Sequence, residues 1–157
     1  MLTIEKLTRA DIERVKSLSV DDSQLKYVGT TEEILNNLNG SCIPHIIKQD
    51  CAIVGFFLLD FNYSESYEFV KENSSIGLRA YLIDAKQQGN GYGVKAVMLL
   101  PDYVKSHFPD VSKIYLTVNC KNPIAQNCYV KAGFIDNGDL YLGGAAGPQH
   151  IMFLNLR

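Results

Sequence analysis

Six consecutive residues, Gln88-Gly89-Asn90-Gly91-Tyr92-Gly93, have the composition of an anion-binding turn. They follow a β-prone run and precede a helical one. The unpaired N–H groups of a first helical turn therefore point outward there, and the helix dipole favours negative charge. Glycines let such a backbone come close to a bulky phosphate group, so the chemistry indicated is the grip of a pyrophosphate. The segment is not a mononucleotide P-loop, because Val94 and Lys95 follow Gly93 where Gly-Lys-Ser or Gly-Lys-Thr is needed. A dinucleotide fingerprint read from Gly89 needs a third glycine at 94, where Val94 stands. A glycine turn without a ligand is the alternative the segment alone leaves open.

About thirty residues further on runs Val118-Asn119-Cys120-Lys121-Asn122-Pro123-Ile124-Ala125-Gln126-Asn127-Cys128-Tyr129-Val130-Lys131-Ala132-Gly133-Phe134. Together the two segments resemble the GNAT family of N-acetyltransferases. Its acetyl-CoA loop has the pattern Gln/Arg-x-x-Gly-x-Gly/Ala, matched by Gln88, Gly91 and Gly93. The family's next element, a strand ending in Asn and leading into Asn-x-x-Ala-x-x-x-Tyr and then Gly-Phe, is matched by Asn119, Asn122, Ala125, Tyr129, Gly133 and Phe134. Residues 122, 125 and 129 are spaced by three and then four, which makes one helical stripe. The resemblance implies that this stripe faces acetyl-CoA. Ala125 would leave room for the ligand chain, Asn122 would offer a donor and an acceptor to pantetheine amides, and Tyr129 would give its proton to the departing thiolate. A half-buried amphipathic core residue is the plainer reading of Tyr129.

The resemblance reaches upstream to Ile76–Asp84. In the family, exposed backbone groups of this strand pair with the pantetheine arm, and one amide near a bulge polarises the thioester carbonyl. Leu82 and Ile83 are the matching positions, so the implied cofactor-binding set is Leu82, Ile83, Gln88, Gly89, Asn90, Gly91, Tyr92, Gly93, Asn119, Asn122 and Ala125, with Tyr129 catalytic.

Transfer to an amine also needs a neutral nucleophile. Asp60, Glu65, Glu68, Glu72, Asp84 and His150 are candidate bases, and spacing does not select among them. Four carboxylates and one Lys between Asp60 and Glu72 give a local charge of −3, and Asp21-Asp22 and Glu32-Glu33 add to it. Such a field draws ammonium groups. Leu18-Ser19-Val20, Gln24, Tyr27-Val28 and Arg79 resemble a bacterial branch that includes polyamine acetyltransferases, so the implied acceptor is a polyamine or another small alkylamine. Acetylation of an aminoglycoside or a protein N-terminus is the nearest enzymatic alternative. A non-catalytic acyl-CoA-binding module and a dinucleotide oxidoreductase domain are rivals from other classes.

Composition makes small molecules or proteins the likelier partners. The 157 residues suit a single N-acetyltransferase domain over 1–157, with 46% apolar residues to build its core. A net charge of −2 lacks the basic excess of a nucleic-acid binder. The first fifteen residues lack a secretory leader's architecture, which points to the cytoplasm. The longest apolar run, Cys51 to Leu59, reads as a buried strand and is too short for a membrane span. Cysteines 42, 51, 120 and 128 have no metal-site spacing and read as reduced, mostly packed thiols.

The elements that would position these residues read in the order β-α-α-β-β-β-α-β-α-β-β. This is an α/β fold with a mixed, mostly antiparallel sheet of about seven strands and about four helices. A helix opens at the capping box Thr30-Thr31-Glu32-Glu33 and stops near Asn39. Strands flank the turn Gln49-Asp50, and Asn62–Ser75 reads as a loop. Pro101 should kink or end the helix from Val94 early. Ile151, Phe153 and Leu156 suggest an apolar sheet edge through which a homodimer could pair.

Overall fold

The computed structural model describes residues 1–21, 25, 27 and 29–156. Asp22, Gln24 and Val28, which belong to the acidic cluster and the branch motif, lie outside the described residues. Seven strands form one sheet: β1 (Leu2–Lys6), β2 (Cys42–Gln49), β3 (Ala52–Asp60), β4 (Ser75–Ile83), β5 (Lys113–Asn119), β6 (Ile135–Tyr141) and β7 (Gln149–Asn155). Their spatial order is β1-β2-β3-β4-β5-β7-β6, antiparallel throughout except for the parallel pair β4–β5. The described helices are α1 (Ile12–Lys16), α2 (Thr31–Asn36), α3 (Tyr63–Ser66), α4 (Tyr92–His107) and α5 (Pro123–Lys131). None is long and apolar enough to cross a membrane.

The continuous apolar run in β3 is explained by burial on both faces. Val54, Phe57 and Leu59 join the core under α4 and α5, whereas Ile53, Phe56 and Leu58 join the core under α1 and α2. The alternation slips at Gly55, where the β2–β3 register also shifts, as an inserted residue requires.

The structure corrects several details. Helix α4 runs through Pro101 to His107. A mid-helix proline costs about 3 kcal/mol, but Ala96, Val97, Leu100 and Val104 lie on one buried face, and that packing keeps both halves on the sheet. Helix α2 stops at Asn36, although Thr30 does cap it by accepting from the Glu33 N–H. Residues 62–75 are not simply a loop, because they hold α3 and three aromatic residues, Tyr63, Tyr67 and Phe69, that cluster with Tyr115 of β5. The hairpin turn is Asp50-Cys51, with Asp50 left-handed at φ 55°. The last edge is not β7 but β6, the other edge being β1, since β7 lies between β5 and β6; Ile151 and Leu156 are buried. Cys51 is exposed and the other three thiols are half-buried, so none is fully packed.

Candidate active site

Strands β4 and β5 pair only over Ser75–Gly77 and Lys113–Tyr115. Beyond that point each continues without the other and a wedge opens between them. The cause lies in β4. Between the pairs Leu58↔Arg79 and Phe56↔Leu82, β4 carries one more residue than β3, and Ala80 is left-handed at φ 53°. A bulge of this kind bends and twists its strand. A non-glycine residue in this region costs roughly 1–2 kcal/mol, so the strain is held by the surrounding structure.

Two cavities meet in the wedge. The first, of 540 Å³, is lined by Leu82 and Ile83 of β4, by the loop at Gln88, Gly89, Gly91, Tyr92 and Gly93, and by Ala125, Cys128, Tyr129 and Lys131 of α5. Gly91 caps the sixteen-residue α4 in the left-handed conformation at φ 78°. The first-turn N–H groups of that helix thus face the cavity, and Lys131 adds a cation. This donor set fits a diphosphate. A Cβ on Gly93 would meet only the Ile83 Cγ1 at 3.6 Å and the Cys128 Sγ at 3.8 Å. The fold itself does not demand glycine there, in keeping with a loop pattern that takes Gly or Ala at this position.

The second cavity, of 360 Å³, lies toward the sheet end of β5 and is lined by Tyr27, Tyr63, Tyr67, Arg79, Thr117, Asn119, Asn122 and Gln149, among others. Tyr81, Ala125 and Tyr129 line both cavities. They form the wall at which a group presented from one side meets a group from the other.

Tyr129 is the buried member of that wall, 8% exposed. Among the described residues nothing bonds its hydroxyl, and no buried side-chain oxygen lacks a partner, so the hydroxyl opens on the cavities. Burial pushes its phenol well above the ordinary value, with the Cys128 thiol adding to the shift. It stays protonated at neutral pH, which suits a proton donor. Burial likewise pushes the Cys128 thiol up to about 11, leaving it a poor nucleophile.

The structure divides the residues singled out from the sequence. Leu82, Ile83, Gln88, Gly89, Gly91, Tyr92, Gly93, Ala125 and Tyr129 come together around the first cavity. Asn90 does not line it, and its Nδ2 donates to the Gln87 carbonyl at 3.0 Å. Asn119 and Asn122 lie on the second cavity: the Asn119 amide bonds the Ala146 carbonyl and the Lys121 N–H, and Asn122 caps α5 by accepting from the Ala125 N–H. None of the six candidate bases lines either cavity. Asp60 is held by Arg79, Ser41 and the Asn62 N–H; Glu72 by Lys113 and Tyr115; Asp84 by Ser19; and His150 by Asp136. Glu65 and Glu68 are exposed. No group of three or more His, Cys, Asp or Glu among the described residues could hold a metal.

Sequence reasoning missed Tyr81, whose hydroxyl donates to the Gly93 carbonyl at 2.6 Å, and Tyr63 and Tyr67 of the second cavity. The signal available was an aromatic residue two before Ile83 on the implied strand.

The model of the acetyltransferase (GNAT) family matches residues 5–134. The chain belongs to the GNAT family of acetyltransferases. The family makes it an acetyl-CoA-dependent enzyme by membership. Among similar proteins are the uncharacterized N-acetyltransferase YbbJ of Bacillus subtilis, 29% identical over 88% of this chain and 87% of that one, and the spermine/spermidine N(1)-acetyltransferase of the same organism, 25% identical over 91% and 93%. Among solved structures, an aminoglycoside acetyltransferase, AAC(6')-Ib, in complex with coenzyme A and kanamycin superposes with a TM-score of 0.78 at 21% identity, over 99% of this chain and 95% of that one. A spermidine N-acetyltransferase from Vibrio cholerae in complex with CoA and spermine gives 0.72 at 20% identity, over 99% and 95%. These structural likenesses are to the GNAT fold, including its mixed seven-stranded sheet.

Proposed function

We propose that the 157 residues form one N-acetyltransferase domain that moves an acetyl group from acetyl-CoA directly to a small primary amine. The observation that carries this reading is the meeting of the two cavities at Tyr81, Ala125 and Tyr129. Acetyl-CoA supplies the acyl group as a thioester. The loop amides of residues 88–93 would grip its diphosphate, and the backbone of Leu82 and Ile83 beyond the bulge would pair with its arm. An amide of β4 near Ala80 would polarise the thioester carbonyl, the Tyr129 O–H would protonate the departing sulfur, and the amine's proton would leave through water, since no described carboxylate lines the acceptor side. The high Cys128 value favours direct transfer over an acyl-cysteine route.

The relatives named for spermine and spermidine support a small amine. A cytoplasmic location, where acetyl-CoA is supplied, belongs to the same reading. So does a homodimer through the β6 edge, at which Ile135 and Leu140 are exposed. Release of free CoA thiol, followed with wild type and Tyr129→Phe across a panel of amines, tests the function. Turnover that collapses in the variant supports it. Tight CoA binding without turnover of any amine would make the chain a sensor instead.

A further inference from the structure

Of the four carboxylates in the acidic stretch that suggested a polycation, two are paired within the fold, and the other two, Glu65 and Glu68, are exposed and line neither cavity. Asp60 is 1% exposed, and its Oδ1 accepts from the Ser41 Oγ at 3.2 Å and the Asn62 N–H at 2.8 Å, while its Oδ2 accepts from the Arg79 Nε at 2.7 Å. Glu72 accepts from the Lys113 Nζ at 3.0 Å and the Tyr115 hydroxyl at 2.6 Å. What the second cavity receives from this arrangement is a cation. Arg79 is the one charged side chain among its described lining residues, and the others are tyrosines, small apolar groups and neutral amides and hydroxyls.

The guanidinium is also held in place. Its Nε bond to Asp60 fixes the plane, and its carbon lies 4.8 Å from the Tyr63 ring centre and 5.2 Å from that of Tyr67. Tyr63 in turn is fixed because its ring lies flat on Gly77, where a Cβ could not be accommodated. Among the described residues nothing bonds the Nη nitrogens, and the side chain remains 31% exposed. A planar fork of N–H donors, oriented by its neighbours and open on one edge, matches a carboxylate. An ammonium group in the same place would meet like charge and, among the described residues, no free anion.

We propose that Arg79 determines acceptor specificity and that the acceptor is a small aminocarboxylate, its amine directed to Tyr129 and its carboxylate held by the Nη edge of Arg79. This rests on the acetyltransferase reading above and narrows its substrate class. Arg79 touches the acceptor away from the reacting atoms, so its contribution is to binding.

The experiment compares pairs that differ by one carboxylate, lysine against cadaverine and ornithine against putrescine, with spermidine as a further acceptor and acetyl-CoA as donor. The amino acids are expected to show kcat/KM about 10- to 100-fold above their diamines, the worth of a charge-assisted bidentate contact. Arg79→Gln should remove that preference by raising the amino-acid KM, with kcat and the acetyl-CoA KM nearly unchanged. Because Arg79→Gln leaves Asp60 buried beside a neutral group, Arg79→Lys is made in parallel; it keeps the charge but not the fork and should also raise the amino-acid KM. Diamines or spermidine turned over as well as or better than the amino acids would overturn the proposal while leaving the acetyltransferase reading standing. A preference for amino acids that both variants retain would overturn Arg79's role. No CoA release with any amine would instead end the acetyltransferase reading, and this proposal with it.

Discussion

The Tyr81 hydroxyl donates to the Gly93 carbonyl oxygen at 2.6 Å, which ties the bulged end of β4 to the first turn of α4. The strand expected to pair with the pantetheine arm and the helix expected to hold the diphosphate are thereby set at one distance. Tyr81→Phe removes the link and leaves the ring, which still packs edge-on against Tyr129 at 6.0 Å. A lost buried hydrogen bond should cost about 1 kcal/mol in denaturant unfolding. The acetyl-CoA KM should rise severalfold with a smaller change in kcat. An unchanged KM would show that the two elements keep their spacing without this bond.

Tyr129→Phe separates chemistry from binding at the same wall. If the phenol protonates the departing thiolate, kcat should fall about 10²- to 10⁴-fold while the Kd for CoA stays near its wild-type value. The pH profile carries the sign. An acid must be protonated to act, and burial raises this phenol above its ordinary value of 10, so Tyr129 should impose no alkaline loss of kcat below about pH 10. Wild-type kcat falling through pH 8 to 9 in step with a tyrosinate absorbance would contradict the assignment.

The parts of this site legible in the sequence were those whose chemistry is local. A glycine at a helix start and an Asn-Pro pair at another state their own backbone needs, and residues 88–93 and 122–129 are found on the expected elements. Pro101 was misleading because local propensity loses to the buried face of Val97, Leu100 and Val104. The fate of the carboxylates could not be read, because it depends on partners far along the chain: Asp60 meets Arg79 across two strands, and Glu72 meets Lys113 from β5. A count of acidic residues records charge but not pairing. Much of the aromatic lining of the second cavity was hidden for the same reason, since Tyr63 and Tyr81 come from separate segments.

Two glycines of the loop should respond differently to the same methyl group. Gly91 sits at φ 78°, so Gly91→Ala forces a left-handed alanine at a cost of roughly 1–2 kcal/mol and should lower both stability and CoA affinity. Gly93 begins in the helical region, and a Cβ there meets only ordinary contacts. Gly93→Ala should keep or slightly raise the melting temperature and leave CoA binding nearly unchanged, because the loop pattern takes Gly or Ala at this position and the methyl would point at Ile83 and Cys128. Thermal melts with and without CoA distinguish the two. CoA stabilisation lost in Gly93→Ala as well as in Gly91→Ala would overturn the distinction between the two positions.

His45 links the fold to pH. Its ring is fully buried, with Nδ1 at 2.9 Å from the Ile43 carbonyl and Nε2 at 2.9 Å from the Tyr103 hydroxyl, and it stacks on Phe57 at 5.1 Å. The neutral tautomer that donates from Nδ1 and accepts at Nε2 satisfies both contacts; a protonated ring would confront the Tyr103 hydroxyl with a second donor unless that hydroxyl turned away. Burial lowers the pKa from 6.5 to about 4, the bond to Ile43 opposes the shift, and the positive charge at Lys6 and the neighbouring His107 add to it. The folded state thus binds the proton less well than the unfolded chain, for which about 6.5 applies. Its stabilising contribution is complete above that value and is lost as the pH falls from about 6.5 toward 4, to a total of roughly 3 kcal/mol. Urea midpoints between pH 7 and pH 4.5 should therefore fall more steeply for wild type than for His45→Gln, which has no proton to take up. Parallel slopes in the two proteins would show that His45 is not the group that titrates.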